Sequence, residues 1–299
     1  MKNKQCGSAL LVAILLVVIT ALLASSIAFT TRLFISQTHS IDNRIRMQTA
    51  LQGVQDWAIA VLTAQAKSPQ LYSPHIIHFT KKKFYGVHLQ GELIDQQGLF
   101  NLNLLRYSSQ IDAFERLLQL SHLQITPVQQ QILTQHIYNW ITNPAVVALW
   151  YANQKIPYRP AGQPFVESSE LCWVQGITNK IYRQLQPSIT AFPTVRFDDI
   201  INVNSVTLPV LSSYFPNTNL AQIQHLFLCI QSNKPIRDLA LLKTACFDPQ
   251  LLRMPNNFNT VSYFYLLRAS AKIAQQTMVL TSLLMIQPNA KVNVVWQKL

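Results

Sequence analysis

From Ser8 to Thr31 the chain carries no charged side chain and is mostly apolar. At ~1.5 Å rise per residue, a helix over this run is long enough to cross the ~30 Å hydrocarbon layer of a bilayer. Charge resumes at Arg32, and Asp42, Arg44, Arg46 and Asp56 then lie among apolar positions on a stretch whose single glycine is Gly53 and whose first proline is Pro69. The pattern predicts one continuous helix from Ser8 to about Ala66, half in lipid and half outside it. A secretory signal would show a shorter apolar core and a small-residue cleavage site, not a run continuing into a long helix. Lys2 and Lys4 hold the amino end on the cytoplasmic side, which sends the rest outward.

Beyond the helix the periodicity changes twice. His75 to Thr80 and Phe84 to Ile94 read as two strands, the second on the alternation Gly86-Val87-His88-Leu89-Gln90-Gly91, with Lys81-Lys82-Lys83 as a basic turn between them. From about Leu104 the period is helical. Ile111, Phe114, Leu117, Leu118 and Leu120 share one face, and Val128, Ile132, Leu133, Ile137 and Trp140 another. Ser168 or Ser169, Thr178, and Asn204 or Ser205 are candidate caps for further helices, the last with Pro209 near its first turn. Helical signal continues over 220–230 and 236–242. Strands return at 261–269, 274–286 and 292–296. Terminal strands must pair, and the early strands are the available partners. The simplest topology is an α+β fold in which an antiparallel sheet packs on the outer half of the long helix, with the helical block as an insertion. Residues 71–103 and 256–299 then form the core with the helix at 8–70 (8–31 spanning the membrane), and residues 104–255 form an inserted all-α domain.

Charge and cysteine content change this picture little. The 24 Lys and Arg outnumber 12 Asp and Glu, but they are spread along the chain instead of forming a basic face. Nucleic acid is therefore not the expected partner. Cys6 lies in the first seven residues. Of Cys172, Cys229 and Cys246, the last two flank a loop with Pro235 and are the nearest pair; a disulfide and two buried thiols both fit.

The first seven residues form a short polar leader, Met-Lys-Asn-Lys-Gln-Cys-Gly, with Gly7 directly against the helix, and this resembles the type IV prepilin cleavage site. The resemblance implies that prepilin peptidase cuts between Gly7 and Ser8 and that the new amino terminus on Ser8 is methylated. Two positions depart from the pattern: Ser8 stands where Phe or Met is usual, and Val12 stands where the fibre-forming Glu is usual. An apolar site disfavours an unpaired carboxylate, so that Glu belongs where a neighbouring subunit's amine can meet it. A subunit with nothing above it has no such partner.

Loss of the Glu together with a large outer domain resembles the K-type minor pseudopilins of type II secretion. Gly91-Glu92-Leu93-Ile94-Asp95-Gln96-Gln97-Gly98-Leu99-Phe100-Asn101-Leu102-Asn103 is similar to a signature of that family. So, in order, are Pro157-Tyr158-Arg159 with Gln163-Pro164-Phe165, Ser169-Glu170-Leu171, Val174-Gln175-Gly176-Ile177, Ile201-Asn202-Val203-Asn204, Tyr263 to Ala269 and Val292 to Trp296. The resemblance implies a pilin-like fold and a place at the tip of the periplasmic fibre. It implies assembly with the I and J minor pseudopilins, extending to the H and G pseudopilins, and contact at the tip with the secretin or exported proteins. It also implies a single-pass inner-membrane location, with the bulk of the chain in the periplasm of a Gram-negative bacterium.

Members of that family carry calcium in the helical domain, bound by clustered carboxylates. The matching positions here are Asn139-Trp140-Ile141-Thr142-Asn143 and Ala145 to Ala148, and no Asp or Glu occurs between Arg116 and Val166. Calcium takes six to eight oxygens, usually with several carboxylates. The expectation is no metal and no cofactor, the family sites being lost around Asn139, Asn143 and Ala145 with Val146, Val147, Leu149 and Trp150 packed in their place.

Within the core signature, Gly98 is expected to permit a turn conformation that a Cβ opposes, Asn101 and Asn103 to bond nearby backbone, and Phe100 to be core; Asn202 and Asn204 read as loop and cap residues. Other chemistry is thin. His75 and His78 point to opposite faces of a strand, which argues against a metal pair. Val174 to Thr178 has the outline of a helix-hairpin-helix turn, but Thr178 stands where the second Gly of a phosphate-binding turn belongs. A membrane-anchored periplasmic nucleic-acid binder or enzyme are the competing readings, and no nucleophile elbow, phosphate loop or dinucleotide fingerprint supports them. No catalytic residue is assigned.

Overall fold

The computed structural model describes residues 6–68, 75–193, 199–216, 218–247 and 254–299. Most of the expected leader, residues 1–5, lies outside them. Helix α1 is Cys6–Lys67, one unbroken element of 62 residues. Its apolar part stands clear of the rest of the molecule, and the first buried side chain is Met47. From there Met47, Leu51, Val54, Ala58 and Leu62 recur every three to four residues and form the buried stripe. Hydroxyls within the apolar part bond back to their own helix, as Thr30 Oγ1 does to the Ile27 carbonyl at 2.9 Å and Thr31 Oγ1 to the same carbonyl at 2.8 Å. They need no partner helix in an apolar medium.

Strands β1 (Ile76–Phe84) and β2 (Val87–Asp95) follow as a hairpin. Here the sequence expectation fails: 81–83 are not the turn but part of β1, and the turn is the two residues Tyr85 and Gly86, with φ of 46° and 82°. Positive φ at both centres gives the twist that two-residue hairpins need, and Gly86 adopts it at no steric cost. The register slips between Phe79 and Lys82, so an irregularity lets the strand run on through the basic triplet. Because β1 is an edge strand, a lysine-rich sequence there also discourages pairing with other chains.

The insertion opens with β3 (Phe100–Asn101) and holds α2 (Ile111–Leu120), α3 (Pro127–Thr142), α4 (Pro144–Ala152), α5 (Asn179–Leu185), β4 (Ile189–Thr190), β5 (Ile201–Asn202), α6 (Leu208–Ser213), α7 (Leu220–Ser232), α8 (Leu239–Cys246) and β6 (Phe258–Asn259). It is not purely helical. β3 pairs with β4 and β5 with β6, both parallel, and these short ladders tie the insertion's ends together. The chain returns through β7 (Phe264–Ile273), β8 (Gln276–Ile286) and β9 (Val292–Lys298), giving an antiparallel sheet in the order β1-β2-β7-β8-β9.

Two main cores result. One joins the α1 stripe to Leu93, Tyr265, Leu267, Leu280 and Leu284 on one face of the sheet. The other lies within the insertion, around Phe100, Phe114, Leu118, Ile137, Tyr151 and Leu211. A small third cluster of Phe192, Phe264 and Leu283 joins the insertion to the opposite face of the sheet, with the two phenyl rings stacked at 4.2 Å. Cys229 of α7 and Cys246 of α8 form a disulfide, with Cα atoms 5.7 Å apart.

Several local expectations shift. In α3 the inward face is Leu133, Ile137, Trp140 and Ile141, while Val128 and Ile132 are exposed. Thr126 caps that helix with Gln129 in a reciprocal box, which rotates Val128 outward. The segment Ser168–Trp173 is a 3₁₀ turn led by Glu167, without a serine cap. Thr178 caps α5 as expected, whereas α6 begins after Thr207, and Asn204 and Ser205 serve a different purpose.

Candidate functional site

The surface most distinctive of this chain is the free length of α1. Residues 9–39 span ~46 Å of helix, by ~1.5 Å per residue, before Gln276 of β8 reaches Ser40 at 2.9 Å. Its outer portion carries the exposed Ile41 and Ile45 beside an Asp42–Arg46 pair at 2.8 Å. Further along the helix Leu51 and Val54 are buried against the sheet, and Trp57 and Val61 are half-buried, Trp57 with its ring 5.1 Å from Phe79. Next to Ile45 a groove of about 760 Å³ opens between α1 and the hairpin, walled by Ala50, Gly53, Val87 and Leu89 with Phe84 and Tyr85 at its rim. The exposed helix face and this mainly apolar groove are continuous at Ile45 and Arg46.

The signature segment at 95–103 builds the joint between the sheet and the insertion. Asp95, the last residue of β2, is fully buried. Its Oδ2 accepts from Ser205 Oγ, Ser262 Oγ and Asn202 Nδ2, each at 2.6 Å, and its Oδ1 accepts from the Gln97 amide at 2.8 Å. Burial pushes the Asp95 carboxyl above its ordinary range, and these four donors oppose that shift. Gln97 extends the knot, receiving the Tyr263 amide on Oε1 and donating Nε2 to the Ile200 carbonyl. Three chain segments that are distant in sequence thus close on one carboxylate.

Gly98 is required here for a reason other than the one expected. Its φ lies outside the left-handed region, but a Cβ would lie 2.2 Å from the Ser205 carbonyl oxygen. Close approach, not backbone freedom, fixes the glycine. Asn101 bonds nearby backbone at the Asn103 amide, and Asn103 reaches across the insertion to the Phe165 and Phe192 carbonyls, both at 2.9 Å. Phe100 is core. Asn202 and Asn204 are buried clamps, not loop decoration. Asn204 donates to the Ile236 and Thr260 carbonyls and accepts from the Ile236 amide. Composition alone carries no sign of these long-range partners.

Among the described residues no group of three or more His, Cys, Asp and Glu side chains is poised for a metal ion. At the positions where the resemblance places calcium, Asn139 is buried and its Oδ1 already accepts from Gln135, Asn143 links α3 to α4, and Ala145 has no donor. The expected packing is corrected: only Val147 of the four named residues is buried, and Tyr151 fills the core beside Trp140. Val146, Leu149 and Trp150 point outward. Burial pushes the Tyr151 hydroxyl up to about 12, and that hydroxyl accepts from the Gln175 amide at 3.0 Å. The Gln175 carbonyl is in turn held by His136 Nδ1 at 3.0 Å, so this backbone of the hairpin-like turn is engaged internally. Gly176 sits at φ +86°, with Leu133 against it.

Comparison with known proteins places these features. Residues 98–194 match the family model for protein K of the type II secretion system. The type II secretion system protein K of Pectobacterium carotovorum subsp. carotovorum is 27% identical over 247 residues, covering 73% of this chain and 72% of that protein. A putative type II secretion system protein K of Escherichia coli (strain K12) is 25% identical over 239 residues, with 73% and 72% covered. In fold, the chain is similar to a chain of the crystal structure of the GspK-GspI-GspJ complex from the enterotoxigenic Escherichia coli type 2 secretion system. The TM-score is 0.70 at 18% identity, covering 88% of this chain and 98% of that one. With a long amino-terminal helix on an antiparallel sheet and a helical insertion, the chain is similar in sequence and in fold to protein K of the type II secretion system.

Proposed function

We propose that this chain is a minor pseudopilin that assembles with I-type and J-type partners at the tip of the type II secretion pseudopilus, where it initiates the fibre and supports export. The similar solved chain comes from a complex of GspK, GspI and GspJ, and that association is carried over here. The observation that bears the most weight is the long free face of α1. Its apolar part is long enough to cross a membrane, and its outer part exposes Ile41 and Ile45 beside an open groove. An apolar surface of this extent favours burial against neighbouring helices.

In this reading the role is structural, not catalytic. The chain enters the inner membrane once through residues 8–31, and the sheet and insertion lie in the periplasm. Prepilin peptidase cuts between Gly7 and Ser8, and Ser8 is methylated. Val12 leaves no carboxylate for a subunit above, which fits a terminal place with H and G pseudopilins below, and with the insertion facing the secretin or exported proteins. The test is co-purification of the chain truncated before Ile41 with its cognate I and J partners. A stoichiometric ternary complex is expected, and failure to form one under conditions where I and J pair with each other overturns the assignment. Mass spectrometry of the mature amino terminus checks the processing: methylated Ser8 is expected, and an intact Met1 refutes it.

A further inference from the structure

The exposed apolar side chains of the insertion are gathered, not scattered. Val146, Leu149 and Trp150 occupy one face of α4 at the i, i+3, i+4 spacing, with Leu149 75% exposed. Just past the helix, Ile156 is 79% exposed. Trp173, 59% exposed, is drawn to the same region by Tyr158: the rings lie 5.5 Å apart, and the Tyr158 hydroxyl donates to the Trp173 carbonyl at 2.9 Å. Tyr158 also packs 5.0 Å from Tyr151, which packs 4.8 Å from Trp150. One aromatic chain therefore ties the two exposed tryptophans to a common base.

Positive side chains border the α4 end of this surface. Lys155 and Arg159, both exposed, flank Ile156, and no carboxylate occurs between Arg116 and Val166. On the turn that carries Trp173, Glu170 accepts from the Val166 and Glu167 amides, and Glu167 lies 3.9 Å from Lys298. We infer that this α4–Tyr158–Trp173 surface is a peripheral docking site for an anionic lipid bilayer. The apolar side chains protrude from a helix face and a turn. A fluid headgroup boundary takes protruding side chains without a shaped pocket, whereas a protein partner must supply one. Tryptophan settles at the level of the headgroups, and Lys155 and Arg159 meet their phosphates. The bilayer concerned is one facing the insertion: residues 32–39 hold the sheet about 12 Å beyond the apolar run of α1, by ~1.5 Å per residue, up to Ser40 where Gln276 of β8 meets the helix. This inference does not depend on the I and J partners.

The test uses the full chain reconstituted through α1 into heavy, neutral phosphatidylcholine liposomes, to which small fluorescent protein-free vesicles are added. Vesicles with 30% phosphatidylglycerol are expected to co-sediment several-fold above the level seen with protein-free liposomes, and neutral vesicles much less. Trp150→Ala/Trp173→Ala and, separately, Lys155→Glu/Arg159→Glu are each expected to cut capture at least fivefold, the charge variant without changing the unfolding temperature. For the wild-type chain, 0.5 M salt should weaken capture several-fold. Capture no higher than with protein-free liposomes, equal capture of neutral vesicles, or capture unchanged in both variants overturns the proposal. So does a result in which the tryptophan variant loses a protein partner and keeps vesicle capture. Loss of α1 insertion would show separately, as chain missing from the heavy liposomes.

Discussion

At the scale of single residues, the joint between sheet and insertion turns on Asp95 and Gly98. Among the described residues no cation pairs with the buried Asp95; four hydrogen-bond donors hold it. Removing the carboxyl leaves buried hydroxyl and amide donors unpaired, and Asp95→Ala is expected to cost roughly 1–3 kcal/mol or more in denaturant titrations. The sign with pH follows from the raised pKa of the folded state. Stability from this group is fully present below the ordinary aspartate value of 3.8 and is lost as pH rises through the higher folded value. Between neutral pH and pH 4 the wild-type chain should therefore gain stability relative to Asp95→Asn, which cannot titrate; a constant difference over that window would refute this account. Gly98→Ala should destabilise by about 1–3 kcal/mol or more, because its Cβ meets the Ser205 backbone and not a mobile side-chain end. Gly98 and the asparagines stand out by their motif, and Asn101 bonds nearby backbone as expected, but the reason for Gly98 was misjudged, since Ser205 lies far away in the chain.

At the scale of elements, the α7–α8 disulfide closes a short loop, with 17 residues of separation. A cross-link of that span is worth about 3 kcal/mol through the entropy of the unfolded chain. Cys229→Ser/Cys246→Ser should thus lower the unfolding temperature by roughly 6–12 °C, at ~2–4 °C per kcal/mol for a domain of this size. Differential scanning calorimetry checks this, and reducing agent should lower the wild-type chain to the same level. The α3–α4 corner carries a second prediction. Two carboxamides, one already hydrogen-bonded, are a poor donor set for a hard cation. Calcium and chelator are expected to move the unfolding temperature by less than about 1 °C, because ligand linkage needs a tight site to act. The elements themselves were largely legible, because helical and strand periods each persist over many residues. The hairpin was not: a lysine triplet looks like a turn by composition, but φ at Tyr85 and Gly86 decides. The face of α3 was misread because the Thr126 cap sets its rotation, and the face of α4 because the run is apolar all round and shows no preferred side.

At the scale of the whole molecule, α1 is one continuous helix that burial divides into two sets of apolar residues. Leu51 and Val54 belong to the protein's own sheet, while Ile41 and Ile45, about 60% exposed, contribute little to its folding. From the sequence all four look equivalent, since each is an apolar residue on an amphipathic stretch; only the position of the sheet, fixed by strands more than 200 residues later, distinguishes them. Ile41→Asp/Ile45→Asp should therefore leave the unfolding temperature within about 1–2 °C of the wild-type value, as surface changes usually do. The same double change should sharply reduce capture of the I and J partners, because two charges would have to enter an apolar helix interface. Leu51→Asp places a carboxylate in the α1–sheet core and is expected to abolish the folded state itself, visible as loss of protection from protease. Capture that survives Ile41→Asp/Ile45→Asp would move the assembly surface away from the free face of α1 and toward the groove walls at Val87 and Leu89, whose exposed rim at Phe84 and Tyr85 can be altered independently of the helix.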